Sequence, residues 1–95
     1  MATGKGTDSV DFGATPGTNI VTKTVAAVGL TSSGYAEAFI QGNDSTATHN
    51  TYEHQTVLGK EVSLVCTPGT DQFVVTATTY LRLDGTMSFH FAWST

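Results

Sequence analysis

The side chains best suited to chemistry lie together in the middle of the chain. Imidazole and carboxylate groups are ligands that Zn²⁺ takes in proteins. Residues 44–54 supply both, in Asp44, His49, Glu53 and His54. The two histidines lie five residues apart, whereas a zinc site on one helix needs them about four apart so that both face the same way. A metal site and a hydrogen-bonded loop anchor are therefore the two alternatives, and the spacing favours the loop anchor.

Other catalytic arrangements find less support. A glycosidase needs two carboxyl groups held apart in a cleft, but Asp71 and Asp84 lie in turn sequences that already explain them. Glu37 and Glu61 lie on different predicted strands, and nothing marks them as a pair. Cys66 is expected in the middle of a strand, where a buried thiol is inert. The chain has no Gly-x-Ser-x-Gly elbow and no full phosphate-binding loop, so the sequence predicts no enzyme activity and no cofactor.

Composition bounds the class of protein. The chain has 95 residues, a length typical of one domain, and only 13% of them are charged. Its four Lys and Arg residues are scattered and its net charge is -4, which argues against nucleic-acid binding. No apolar run approaches the length of a membrane span, and no apolar leader follows the first residues. We therefore expect a protein made in the cytoplasm that does not enter membranes.

Period-two alternation of apolar side chains, broken by Gly and Pro turns, is the main structural signal. It predicts an all-β fold, an antiparallel β-sandwich or a jelly-roll-like barrel. One long loop, at residues 42–59, is expected to carry at most a short helix. The predicted strands cover residues 10–13, 20–29, 35–41, 61–67, 73–80 and 86–94. The second of these strands pairs antiparallel with the third if residues 31–34 form a hairpin.

The alternation also predicts which side chains are buried. Tyr35 and Phe39 share the face of their strand opposite Ala36, Ala38 and Ile40. Another layer or subunit should therefore cover one of these two faces. The predicted core comprises Ile40, Leu64, Phe73, Val75, Met87, Phe89, Phe91 and Trp93.

The ends and loops of the chain are the expected contact regions. Residues 1–9 are small and polar and predict a flexible or partner-ordered arm, which leaves residues 10–95 as the single sandwich domain. The loop at residues 44–54 is a second contact region. Aromatic side chains often anchor protein interfaces. The candidate partner-docking residues are Val10, Phe12, Tyr35, Phe39 and Tyr52.

Several segments resemble small virion structural proteins of tailed bacteriophages. They are residues 10–17, 36–40, 44–54 and 83–94, which cover much of the chain in order. The resemblance implies a virion component of the head decoration (cement), head fibre or tail accessory type, often trimeric. It also implies contacts with copies of the chain itself and with a larger phage structural protein such as the major capsid protein. No catalytic residues come with it.

Two hypotheses follow for function. The first is a non-enzymatic virion structural protein, made in the host cytoplasm, most simply a capsid decoration protein that acts through protein–protein contacts. Many copies on one shell would make weak contacts sufficient. The alternative is a carbohydrate-binding module at a fibre or tail tip, with Tyr52 and neighbouring polar groups of its loop holding a sugar.

Overall fold

The computed structural model describes residues 2–40 and 62–95, apart from the side chain of Leu81. In these ranges the fold is all-β and has no helix, with two antiparallel sheets packed together as a sandwich. This confirms the predicted fold class. The strands are β1 Thr3–Asp11, β2 Thr18–Ala26, β3 Tyr35–Phe39, β4 Val62–Pro68, β5 Gln72–Leu83 and β6 Thr86–Ser94.

Each sheet has three strands. The front sheet has the order β1-β6-β3, and the back sheet has the order β2-β5-β4. Strands β4 and β5 are adjacent in sequence and paired in space, as the turn signal at residues 68–71 predicts. In that turn the Gly69 N–H donates to the Gln72 carbonyl at 2.8 Å. Asp71 takes a positive φ of 59°, which aspartate tolerates better than most residues.

Other connections carry the chain from one sheet to the other. Strands β2 and β3 lie in different sheets, so residues 31–34 do not form the hairpin that would pair them. The turn at Asp84 and Gly85 likewise leads from β5 in the back sheet to β6 in the front sheet. Gly85 has a φ of 78°, and its N–H donates to the Gly13 carbonyl at 2.8 Å. The turn signals locate these bends correctly without revealing which strands pair.

Within the arm expected at residues 1–9, the structure has a paired strand that begins at Thr3. Strand β1 runs antiparallel to β6 along its whole length, from Thr3 opposite Ser94 to Asp11 opposite Thr86. The order of this segment therefore comes from the chain's own last strand rather than from a partner. The composition of the segment predicts an arm because its side chains are small and polar. Backbone hydrogen bonds can nevertheless pair a strand that has no large apolar side chains.

Glycines at two inward positions of β1 make this pairing compatible with a large core. Gly4 lies opposite Trp93 and Gly6 lies opposite Phe91. A Cβ atom on either glycine would collide with the facing ring. The two aromatic rings therefore occupy the space that side chains on β1 would fill, and they cover the edge of the core.

The core lies between the inner faces of the sheets. Phe73, Val75, Met87 and Phe89 are fully buried there. Phe91 contacts Phe73 edge-to-face, with ring centroids 5.4 Å apart, a geometry that aromatic pairs prefer. Four residues predicted for the core are only half-buried and pack around its rim: Ile40, Leu64, Phe91 and Trp93.

One buried side chain comes from a connection rather than from a strand. Leu30, between β2 and β3, is 1% exposed and belongs to the core. Asp71 holds this connection in place. Its N–H donates to the Leu30 carbonyl at 2.9 Å, its carbonyl accepts from the Ala27 N–H at 2.9 Å, and its carboxylate accepts from the Gly29 N–H at 2.9 Å.

Candidate functional site

The outer face of the front sheet brings aromatic and charged side chains together. Strand β6 runs through the middle, and its outward residues His90, Ala92 and Ser94 have partners on both sides. Ala92 lies between Glu37 on β3 and Lys5 on β1, and His90 lies between Phe39 and Thr7. We call this surface the aromatic trough. Its residues are Lys5, Tyr35, Glu37, Phe39, His90 and Ala92.

Two large rings are exposed at the trough. The Tyr35 side chain is 73% exposed and Phe39 is 40% exposed. Phe39 stacks on His90, with ring centroids 5.9 Å apart and planes inclined by 21°. This contact places the two rings side by side, so that they form one aromatic surface in the trough.

The floor of the trough is low because Ala92 is small. Two open depressions adjoin it and share Ala92 in their lining. The one toward the β3 edge has a volume of about 620 Å³ and is lined in part by Tyr35 and Trp93. The one toward β1 has a volume of about 440 Å³ and includes Lys5 and His90.

The charges beside Ala92 have opposite signs. Neighbouring strands lie about 4.8 Å apart, so the backbones at Lys5 and Glu37 are separated by about 10 Å across the strand that carries Ala92. A ligand or partner lying over Ala92 would meet an ammonium group on one side and a carboxylate on the other. The site therefore suits a surface with both donors and acceptors rather than a strongly charged one.

The outer face of the back sheet has a different character. Its strands are in register, so that Thr76 lies between Thr22 and Val65, and Val74 lies between Thr24 and Thr67. Every side chain of this surface, which we call the uncharged face, is apolar or neutral. Its residues are Ile20, Thr22, Thr24, Ala26, Ser63, Val65, Thr67, Gln72, Val74, Thr76 and Thr78.

Exposed apolar side chains occur on and beside this face. Ile20 is 56% exposed and Val65 is 58% exposed, on opposite edges of the sheet. Tyr80 lies further along β5, beyond the register shift that follows Thr78, and is 87% exposed. The charged Arg82, also in β5, is exposed as well.

Charged groups near the sandwich interior lie at its sides. The Lys23 ammonium is 3.7 Å from the Asp8 carboxylate, in a half-exposed ion pair that joins β2 of the back sheet to β1 of the front sheet. On the other side, burial raises the pKa of the Cys66 thiol above its ordinary value, and the nearby Glu37 carboxylate raises it further. A thiol in that state is a weak nucleophile.

The sequence-predicted site residues separate into three groups. Val10 and Phe12, predicted to dock a partner, are each 2% exposed and belong to the core. Val10 occupies an inward position near the end of β1, and Phe12 directly follows that strand. Tyr35 and Phe39 lie on the outer face of the front sheet. The remaining predictions fall outside the described residues: Asp44, His49, Tyr52, Glu53 and His54.

Of the four carboxylates weighed for catalysis, Asp71 and Asp84 have structural contacts, Glu37 lies on the outer face of the front sheet, and Glu61 lies outside the described residues. Asp71 accepts the hydrogen bond from Gly29, and Asp84 accepts one from the Thr15 hydroxyl. Among residues 2–40 and 62–95, no group of three His, Cys, Asp or Glu side chains could hold a metal ion. No helix within this part of the chain is long and apolar enough to span a membrane.

Sequence reasoning did not identify the uncharged face, although a signal for it exists. Alternate residues from 20 to 26, from 63 to 67 and from 72 to 78 are all uncharged. Lys23, the charged residue of β2, occupies an inward position, and its ammonium group reaches the side of the sandwich. Reading each strand as two separate faces shows only that each of the three strands has an uncharged side.

Comparisons of the chain with protein-family models, with curated proteins and with solved structures found no match.

Proposed function

We propose that this protein is a non-enzymatic structural protein of a phage particle, a capsid decoration protein that attaches to a larger protein through the aromatic trough. The observation that carries the proposal is the exposure of Tyr35 and Phe39 on one outer face of the sandwich. The assignment to a virion draws on the sequence resemblance described above, and the docking surface draws on the geometry of the front sheet.

Several features of the trough suit a protein partner. Tyr and Phe are enriched in the cores of protein interfaces, and the stack on His90 holds Phe39 in place before binding, which reduces the entropy lost on association. Tyr35 and Phe39 belong to β3, an edge strand of the front sheet. An edge strand can also pair with an extended segment of a partner through its backbone.

The charges beside the rings can orient the partner. Lys5 and Glu37 lie at the border of the trough, where rim charges contribute more to the rate and orientation of docking than to affinity. Because a decoration protein binds a shell at many equivalent positions, a modest affinity at each position is sufficient when copies are linked.

The test is binding to purified particles of a phage from which the gene for this protein has been deleted. We expect wild-type protein to bind saturably and Tyr35→Ala to lose about tenfold or more in affinity, because a central aromatic anchor contributes strongly to an interface. Val28→Ala is the matched control, since Val28 is 81% exposed but lies on neither outer face. Electron microscopy of the decorated particles would locate the protein.

Two outcomes would overturn the proposal. One is the absence of binding to such particles at any concentration tested. The other is equal binding by Tyr35→Ala and Val28→Ala, which would remove the aromatic trough as the docking surface. Far-UV circular dichroism of both variants would establish that each keeps the fold.

A carbohydrate-binding module is the second candidate, and the same trough favours it. An exposed tyrosine ring can stack on a sugar, while Glu37 and Lys5 can accept from and donate to hydroxyl groups. A glycan array followed by amide chemical-shift mapping tests this function. Saturable binding with shifts at Ala92 and His90, lost in Tyr35→Ala, would support it. An array without a hit would reject it.

A further inference from the structure

Two charged side chains occupy inward positions of the sandwich. Asp8 on β1 lies opposite Phe89, and Lys23 on β2 lies opposite Val75. Phe89 and Val75 are fully buried. Residues directly opposite one another in a sheet share a face, so Asp8 and Lys23 both lie on the core side of their strands.

Both positions lie at one side of the sandwich. In the described part of the chain, β1 is an edge strand of the front sheet and β2 is an edge strand of the back sheet. The Lys23 ammonium is 3.7 Å from the Asp8 carboxylate, and the two side chains are 43% and 31% exposed. The ion pair therefore spans the opening between the two sheets and keeps contact with water there.

The Asp8 carboxylate also contacts the backbone at the outer edge of β1. It accepts a hydrogen bond from the Ser9 N–H at 2.8 Å, so this N–H points away from β6. Backbone groups of an antiparallel strand alternate in direction, which directs the Thr7 N–H away from β6 as well. In keeping with this alternation, the Phe12 N–H donates to the Gly85 carbonyl beside β6. The carboxylate thus occupies a donor that an added strand would use.

We propose that the pair of Asp8 and Lys23 blocks strand addition at this side of the sandwich, so that copies of the chain do not join edge to edge through β1. Inward-pointing charges on edge strands prevent a sheet from extending. A strand that paired with β1 would cover both charges and remove their water, which is costly for an ion pair. This role does not depend on attachment to a phage particle, and it leaves the outer face of the front sheet open to a partner.

Folding stability alone does not account for the pair. A partly exposed ion pair contributes little to stability, whereas an apolar side chain at an inward strand position adds buried area. The next inward residues on the same two strands are Val10 and Val25, and both are buried in the core. Stability by itself would therefore favour apolar side chains at positions 8 and 23 too.

The test replaces both charges in one variant, Asp8→Val/Lys23→Val. It keeps the net charge at -4, because it removes one negative and one positive group. We expect this variant to self-associate with an association constant about tenfold or more above that of wild type, because the edge of β1 can then pair without burying a charge. Sedimentation velocity at concentrations from about 10 µM to about 1 mM measures the difference.

Asp11→Val/Arg82→Val is the matched control. It also removes one negative and one positive group and adds two valines, one of them on β1 and the other on a strand of the back sheet. Asp11 and Arg82 are both exposed, so neither lies in the opening between the sheets. The control should have the wild-type association constant.

Hydrogen exchange locates the new contact. Pairing along β1 would slow exchange of the Thr7 amide in the associated Asp8→Val/Lys23→Val variant, because its N–H then donates to a neighbouring chain. Adding Thr7→Pro removes that donor without interrupting the ladder between β1 and β6. The triple variant should return to the wild-type association constant.

Far-UV circular dichroism and urea unfolding establish that each variant keeps the fold. If the two valines prevent folding, Asp8→Thr/Lys23→Thr supplies neutral side chains that suit strands and should also associate more than wild type. Failure of both pairs to fold would show that the charges are needed for folding and would overturn the proposal.

Three further results would also overturn it. The first is a folded variant without the two charges that has the wild-type association constant. The second is equal association by Asp11→Val/Arg82→Val. The third is association that persists in the Thr7→Pro triple variant, which would place the contact away from the edge of β1.

Discussion

Substitution of Gly6 by alanine tests how the front sheet accommodates its aromatic core. A Cβ atom at Gly6 would lie 2.8 Å from Cζ and 3.2 Å from Cε2 of Phe91. Carbon atoms normally pack at about 3.5–4.0 Å. The Phe91 ring must therefore move, but it already contacts the fully buried Phe73 edge-to-face. The added methyl group has no space to enter without displacing a second ring.

The expected loss of stability is moderate. Overpacking a well-packed core costs about 1–3 kcal/mol. Replacing glycine by alanine restricts the unfolded chain, which offsets that cost by about 0.4–1 kcal/mol. The free energy of unfolding of Gly6→Ala should therefore fall by about 1–2 kcal/mol. In a domain of this size such a loss lowers Tm by about 5–15 °C.

Urea unfolding followed by the fluorescence of Trp93, the only tryptophan, measures the change. Gly69→Ala is the control, because a Cβ there would lie 3.5 Å from the nearest atom, the Gln72 carbonyl oxygen. It should unfold at the wild-type urea concentration or slightly above. The double variant Gly6→Ala/Phe91→Leu should lose less free energy of unfolding than the two single variants lose together, since the smaller Leu side chain makes room for the added methyl group. A Gly6→Ala variant as stable as Gly69→Ala would refute the reasoning.

Two further predictions concern polar groups. Asp71→Ala should lower the free energy of unfolding by about 1.5–3 kcal/mol, because it removes the acceptor for the Gly29 N–H and leaves alanine at positive φ. Asp71→Asn, which keeps an acceptor and tolerates that φ, should lose less than about 1 kcal/mol, so equal losses would contradict this explanation. For Cys66, burial and the Glu37 carboxylate raise the pKa of the thiol, so alkylation by iodoacetamide should be slow at neutral pH and accelerate only at alkaline pH. Glu37→Gln should shift the rate profile to lower pH, and an unchanged profile would exclude the carboxylate as a cause.

Period-two alternation was sufficient to locate most strands, because side chains on a sheet point alternately to its two sides. It could not predict which strands pair. The turn at residues 84–85 has the same local chemistry whether the chain folds back in one sheet or crosses to the other. Burial decides the matter. Phe73 and Val75 of β5 must cover Met87 and Phe89 of β6 across the core, so these strands belong to opposite sheets.

The first strand was predicted only at its end, from Val10, and its earlier part was missed for a related reason. Two of its inward positions are Gly4 and Gly6, which have no side chain and so produce no apolar alternation. The burial at these positions is contributed by Trp93 and Phe91 from the other end of the chain. No inspection of residues 1–9 alone could reveal that contact.

The candidate surfaces were predictable only in part. Alternation placed Tyr35 and Phe39 on one face of their strand, but the Lys5 side chain reached the same surface through pairing of β1 with β6, which is a long-range contact. The uncharged face likewise requires the register of three strands. Both surfaces depend on the order of strands, which a local pattern does not encode.

The position of β6 has a consequence for how this protein reaches its native state. β6 follows the other five strands in the chain and yet lies in the centre of the front sheet. Until β6 has been synthesised, β1 and β3 have no neighbour with which to form their ladders. Contacts between distant parts of a chain make folding slow, and unpaired strands can associate wrongly in the meantime. The back sheet, whose strands β2, β4 and β5 all precede β6, can form earlier on the ribosome.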